Sequence, residues 1–162
     1  MRVLGSMGIL DSRNPLAMII VGLLAIFTLV FLFTTLVSTN QMKELSKLQS
    51  NQVKWDFLSI NHFSYEAVHG CMFIARHHIE ERNGELSING LNHTHPKRKP
   101  YLIEDLFLVA EKAIQQSYQY KISYHPDYGF PISINADWQE YASDDECFYL
   151  IEEFKVLESS RT

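Results

Sequence analysis

Hydrophobic positions are unevenly distributed along this chain of 162 residues. An apolar run from Leu16 to Val37 contains no charged residue, and 15 of its positions are Leu, Ile, Val or Phe. About 20 apolar residues are enough for a helix to cross the hydrocarbon core of a bilayer. We therefore predict a short N-terminal tail at 1–14 and a transmembrane helix at 15–38, with the lipid bilayer as its partner through Leu16–Val37.

A more polar stretch with helical spacing follows the apolar run. Met42, Leu45, Leu48 and Trp55 lie near one stripe of a helix, and charged residues lie off that stripe. The pattern predicts a helical stalk over residues 39–60. The same stripe would also suit a short coiled-coil dimer, in which the protein acts as a structural spacer.

Residues 61–158 predict a soluble domain, because they alternate with the period of β-strands around one helical segment. The dipeptide Asn83-Gly84 favours a type I′ hairpin turn. Apolar positions from Ile103 to Ser117 follow the spacing of an amphipathic helix. The predicted fold class is α+β, with one N-terminal transmembrane helix and an antiparallel sheet of about five or six strands packed on one amphipathic helix.

Composition excludes some functions of this domain. Residues 41–162 contain 12 Lys or Arg against 18 Asp or Glu. An acidic balance of this kind disfavours a nucleic-acid partner, because phosphates require a basic surface. The sequence also has no glycine-rich phosphate loop and no nucleophile elbow, so it predicts neither a cofactor nor a catalytic residue.

The two cysteines, Cys71 and Cys147, both fall in predicted strands. In an oxidising compartment they could pair as a disulfide across the sheet, whereas in the cytosol they would be buried free thiols. The sequence does not give the distance between them, so both readings stay open.

The most specific local pattern is the segment Tyr124-His125-Pro126-Asp127-Tyr128-Gly129-Phe130-Pro131. Pro126 and Gly129 favour a tight turn, and Asp127 can hydrogen-bond its own turn backbone. Pro131 suits the first position of the next strand because proline has no N–H group. The segment therefore predicts a rigid hairpin.

With this segment the chain resembles DUF6174, an uncharacterised bacterial envelope family defined by a domain of unknown function. Its members have a pattern like Tyr-Asp-Pro-x-x-Gly-Tyr-Pro, then Ile-x-x-Asp, then Asp-Asp-Glu before a final strand. The matching residues here are Tyr124, Pro126, Gly129, Pro131, Ile134, Asp137, Asp144, Asp145 and Glu146. His125 departs from the usual Asp, and Phe130 departs from the usual Tyr. The resemblance covers about residues 50–156.

This resemblance implies an exported protein without a known activity. Members are often lipoproteins, whereas this chain has an uncleaved apolar segment in place of a lipid. The expected location is the bacterial inner membrane, with a single pass and a C-terminal domain in the periplasm. Charge alone does not fix that orientation, because Arg2 and Arg13 on one side nearly balance Lys43, Lys47 and Lys54 on the other.

Apart from the resemblance, the residue types indicate two candidate sites. Tyr128, Phe130, Trp138 and Tyr141 lie near predicted turns, where exposed aromatic side chains would suit binding of an unidentified protein partner. The leading hypothesis is accordingly a membrane-anchored, non-enzymatic interaction or accessory module.

The alternative is a metal-dependent hydrolase. It would use Asp137, Asp144 and Asp145 with His125, since grouped carboxylates can bind Ca²⁺ or Mg²⁺. A calcium-loop motif is absent from the sequence, so this reading depends on how the fold arranges these four residues. The pair His93 and His95 could add ligands only as a weak two-residue site.

Overall fold

A computed structural model describes residues 15–90, 99–142 and 145–157 of the chain. Two compact units are present, Met1–Met42 and Lys43–Thr162. The first contains the apolar run, and the second contains all six strands and the second helix.

Helix α1 extends from Pro15 to Leu58. Its apolar part has a mean hydropathy of 2.7 over 18 residues, and none of that window is buried. The side chains of Leu23 and Phe27 are 63% and 70% exposed, for example. A helix of this length and composition is long and apolar enough to cross a membrane. Thr28, Thr34 and Thr35 satisfy their hydroxyls by donating to carbonyls one turn earlier, as hydroxyls do in an apolar helix.

The second unit is built on one six-stranded sheet in which every neighbouring pair is antiparallel. The strand order is β3-β2-β1-β6-β5-β4. Since β1 and β6 are central neighbours, the first and last strands of the unit pair directly. The strands are β1 (His62–Gly70), β2 (Ile74–Arg82), β3 (Glu85–Gly90), β4 (Gln119–Tyr124), β5 (Pro131–Asp137) and β6 (Glu146–Val156).

Helix α2 spans Ile103–Gln116 and packs on β4 and β5. Its first turn is fixed by the Asp105 carboxylate, which accepts a hydrogen bond of 3.0 Å from the backbone N–H of Leu102. Its apolar stripe is fully buried in the core; the residues are Ile103, Leu106, Phe107, Ala110, Ala113 and Ile114. The sheet and this helix confirm the predicted α+β class.

The stretch predicted as a stalk is part of the folded unit from Lys43 onward. Leu48 and Trp55 are buried in the core, and Leu45 packs against it. The stripe that suggested a coiled-coil dimer is therefore occupied by the chain's own sheet. The stretch is helical as far as Leu58, and its apolar face has an intramolecular partner.

The alternation of β6 breaks at a β-bulge. Ser64 pairs with Lys155 while Glu66 pairs with Glu152, so Glu153 and Phe154 together lie opposite one residue of β1. Glu153 has a positive φ of 52° at this point. The extra residue turns the Phe154 side chain onto the core, whereas strict alternation placed it on the opposite face.

Candidate interaction surface

The segment Tyr124–Pro131 is a closed turn between β4 and β5. The backbone N–H of His125 donates to the carbonyl of Phe130 at 2.8 Å, and the N–H of Gly129 donates to the carbonyl of His125 at 2.9 Å. The Nδ1 atom of His125 accepts from the N–H groups of Asp127 and Tyr128 at 3.2 and 3.4 Å. His125 thus performs the task of an aspartate or asparagine in an Asx turn.

This turn is docked on the last turns of helix α1. Gly129 has a φ of 85°, and a Cβ atom added there would lie 2.6 Å from the backbone oxygen of Asn51. The Nζ atom of Lys54 donates to the carbonyl oxygen of Pro126 at 2.6 Å. The Nζ atom of Lys47 lies 5.6 Å from the centre of the Tyr124 ring. Gly129 is therefore required both by its backbone conformation and by the close approach of the helix.

The turn's aromatic side chains complete the core instead of forming a surface. Trp55 contacts Phe63, Phe130 and Phe154 with ring centres 5.3–6.2 Å apart in edge-on geometry. Phe130 has no exposed surface. Tyr128 is half-buried and packs against the Phe154 ring at 4.9 Å.

The predicted aromatic patch is therefore wrong in part. Phe130 cannot contribute to a surface because it is fully buried, and Tyr128 is committed to packing within the turn. Trp138 is half-buried and lies under the Lys112 ammonium, 4.8 Å from the ring centre. Tyr141 is 92% exposed and remains a candidate contact residue.

The residues proposed for metal-dependent hydrolysis are only partly brought together: Asp137 pairs with Glu146, which follows Asp145, but His125 lies at the other end of β5. His125 bonds to the start of β5, whereas Asp137 is the last residue of that strand. A strand of this length separates its ends by roughly 20 Å. Asp144 lies outside the described residues. Within the described ranges no group of three His, Cys, Asp or Glu side chains could hold a metal ion.

The histidines are likewise dispersed. His77 and His78 are adjacent on β2 and so face opposite sides of the sheet. The His69 ring, 6% exposed as a residue, stacks near that of His77 and meets the Tyr101 ring edge-on at 5.0 Å. His93 and His95 lie outside the described residues, so the structure does not test that pair.

Tyrosine hydroxyls beneath the helices lie in a low-dielectric environment. Burial raises the pKa of Tyr149 to about 12, with a further contribution from Tyr101 beside it. Burial also raises the pKa of Tyr124 to about 12, and the Glu44 carboxylate adds to this effect. Both groups are neutral at physiological pH and stabilise the core as uncharged aromatic residues.

The opposite face of the sheet has no helix on it within the described chain, and its polar centre is an ion-pair cluster. The Arg76 guanidinium bonds to the Glu66 and Glu152 carboxylates, which raises the pKa of Arg76. These three residues belong to three adjacent strands, β2, β1 and β6. The single Arg76 cation therefore offsets the repulsion between two carboxylates that the register of β1 and β6 places opposite each other.

A disulfide joins Cys71 and Cys147 in the structure, with their Cα atoms 4.1 Å apart. Gly70 pairs with Phe148, so the two cysteines occupy the next opposed positions of β1 and β6. The bond closes 76 residues of chain. It borders a concavity of about 770 Å³, whose polar lining includes Lys121, Asn135, Asp137 and Glu146.

Beside this disulfide lies an exposed apolar part of the folded unit. Met72, Phe73 and Ile74 are 69%, 51% and 61% exposed; we call these three residues the hairpin tip. Residues 71–73 connect β1 to β2, and Ile74 is the first residue of β2. This surface was not predicted from the sequence, because Cys71 was placed within a strand. The available signal was the bend at Gly70 followed directly by four apolar residues.

Comparison with known proteins shows that the turn and the sheet lie within a region matched by a family model. A family model, described as a family of unknown function (DUF6174), matches residues 47–156. The chain belongs to the DUF6174 family. The match begins within the buried part of α1 and ends at the last residue of β6, so the DUF6174 domain corresponds to the sheet with both of its helical coverings. No curated protein and no solved structure matches the chain.

Membership confirms the resemblance drawn from the turn pattern, and the structure explains that pattern. Gly129 lies against the helix backbone, and His125 accepts the hydrogen bonds of the turn. In this DUF6174 protein the two residues therefore position elements of the fold.

Proposed function

We propose that this protein is a single-pass, membrane-anchored accessory protein of the bacterial envelope, with its folded unit outside the cytoplasm. The observation on which this rests is the combination, in one chain, of an unburied apolar helix and a cross-strand disulfide. Disulfides persist in oxidising compartments and are rare in the cytosol. The anchor keeps the unit at the bilayer, and the disulfide favours the periplasmic side.

A fusion of alkaline phosphatase after Val156 tests the orientation, because that enzyme is active only outside the cytoplasm. We expect phosphatase activity from this fusion and none from a cytoplasmic reporter at the same position. Carbonate washing should leave the full-length chain in the membrane fraction. The reverse reporter pattern, or release by carbonate, would contradict the proposal.

The proposed role is recognition rather than catalysis, and Tyr141 is the aromatic residue that remains available for it. Its ring is 92% exposed, and exposed tyrosines are enriched in protein interfaces. A photoreactive amino acid at position 141 should crosslink to one protein in intact cells. The same amino acid at Lys155, which is also exposed, provides the control. Equal crosslinking at both positions would refute a specific contact at Tyr141.

A further inference from the structure

We propose that the hairpin tip, formed by Met72, Phe73 and Ile74, inserts into the interfacial region of a lipid bilayer. The proposal rests on the membrane anchoring proposed above. It adds a second point of membrane contact, which belongs to the folded unit itself. The proposed binding partner of this surface is thus lipid, at the boundary between headgroups and acyl chains.

The chemistry of the tip suits that boundary. Three consecutive large apolar side chains are more than half exposed, which is an unfavourable arrangement in water. No charged residue occurs between Gly70 and Ala75, so the loop itself would bring no ionic group into the hydrocarbon. The concavity beside the loop is lined by the charged groups of Lys121, Asp137 and Glu146. Apolar side chains that project from a folded surface can bury themselves at the acyl boundary without spanning it.

The tip is also held in place before it meets a membrane. Gly70 and Ile74 are paired across the hairpin, and Cys71 is bonded to Cys147 on the other neighbouring strand. The loop therefore projects its side chains without a large further loss of conformational entropy. The Phe148 ring of β6 lies across Gly70 and so supports the residues from which the loop projects.

The hairpin tip and Trp55 lie at opposite ends of the sheet. The register places Gly70 at the same end of the sheet as Gln119, the first residue of β4. Trp55 packs at the other end, on Phe63 and Phe130.

Fluorescence quenching of the full chain in phosphatidylcholine vesicles tests the proposal. An environment-sensitive fluorescent amino acid replaces Met72, and separate samples have it at Phe27 or Tyr141. Nonsense suppression introduces it, so the native disulfide is left intact. Brominated phosphatidylcholine quenches reporters in the acyl region, and iodide quenches reporters in water.

We expect the reporters at 72 and 27 to be quenched by brominated lipid and protected from iodide, and the reporter at 141 to show the reverse. Adding Phe73→Ser and Ile74→Ser should reduce lipid quenching at 72 severalfold while leaving position 27 unchanged. Both substituted side chains are more than half exposed, and the combined emission of Trp55 and Trp138 checks that the fold is retained.

The position-27 reporter separates the two proposals. If position 27 is in lipid and position 72 is in water, insertion of the hairpin tip is refuted while the anchor stands. If both are in water, the anchor fails and the tip proposal fails with it. Protection of position 72 in native membranes but not in pure lipid vesicles would also refute lipid insertion, and would indicate a protein on this surface.

Discussion

Replacing Gly129 by alanine should destabilise the folded unit far more than an ordinary glycine substitution. At a φ of 85° an L-residue costs roughly 1–2 kcal/mol in backbone conformation. The new Cβ atom would also lie 2.6 Å from the Asn51 carbonyl oxygen and 3.2 Å from the Lys54 Cβ. Since the nearest atom is backbone, the turn and the helix must separate, at a further cost of about 1–3 kcal/mol. The expected total is about 2–5 kcal/mol.

Gly84→Ala is the matched control for this experiment. Gly84 has nearly the same φ, 82°, but nothing lies within 4 Å of its added Cβ. It should therefore incur only the conformational cost. Urea unfolding of the full chain in detergent, followed through the combined emission of Trp55 and Trp138, gives both free energies of unfolding. The difference between the two variants measures the contact of the turn with α1.

Equal losses in the two glycine variants would refute the reasoning. That result would mean that the turn does not approach the helix as closely as Asn51 and Gly129 do in this structure. A loss in Gly129→Ala that Lys54→Ala fully reproduces would also contradict it, because Lys54→Ala removes the hydrogen bond to Pro126 but introduces no atom against the Asn51 carbonyl oxygen.

Three further predictions concern the disulfide, the turn and the core. Cys71→Ser should lower the free energy of unfolding by about 4 kcal/mol, because a bond that closes 76 residues restricts the unfolded chain strongly; thiol alkylation with and without reductant verifies that Cys147 is bonded in the parent. His125→Asn should retain near-parental stability and His125→Ala should lose about 1 kcal/mol, since only asparagine keeps an acceptor for the N–H of Asp127; thermal melts decide between them. The pKa of Tyr149 is about 12 in the folded protein, so this tyrosine ionises at a lower pH in the unfolded chain than in the folded one. Its contribution to the free energy of unfolding is therefore complete below pH 10 and is lost as the pH rises towards 12. Tyr149→Phe should remove about 1 kcal/mol of the decline measured by urea unfolding between pH 9 and pH 11, and an unchanged decline would refute the assignment.

Local patterns were enough to predict the fold class. The spacing from Ile103 to Ser117 predicted α2, which the structure places at Ile103–Gln116. Asn83-Gly84 predicted the hairpin that now joins β2 to β3, with both residues at positive φ. These elements are governed by short-range periodicity and turn chemistry, which a single sequence records directly.

Features that depend on distant partners could not be predicted in the same way. The stripe of Leu48 and Trp55 was visible, but whether it faced a second copy or its own sheet depended on the tertiary fold. Phe130 was expected at the surface because it follows a turn. Helix α1 covers that turn, and the Phe130 side chain is buried beneath it. The bulge at Glu153 leaves no signal in the sequence, although it reverses the direction of Phe154.

The central place of β6 has a consequence for how the protein is made. Of the six strands that the structure describes, β6 is synthesised last, yet it lies between β1 and β5 and joins the two halves of the sheet. No earlier strand can substitute for it, so the sheet cannot close until β6 has been made. For a folded unit that is exported, as proposed above, this order would keep the chain open during transport and leave folding and cross-linking to the far side of the membrane.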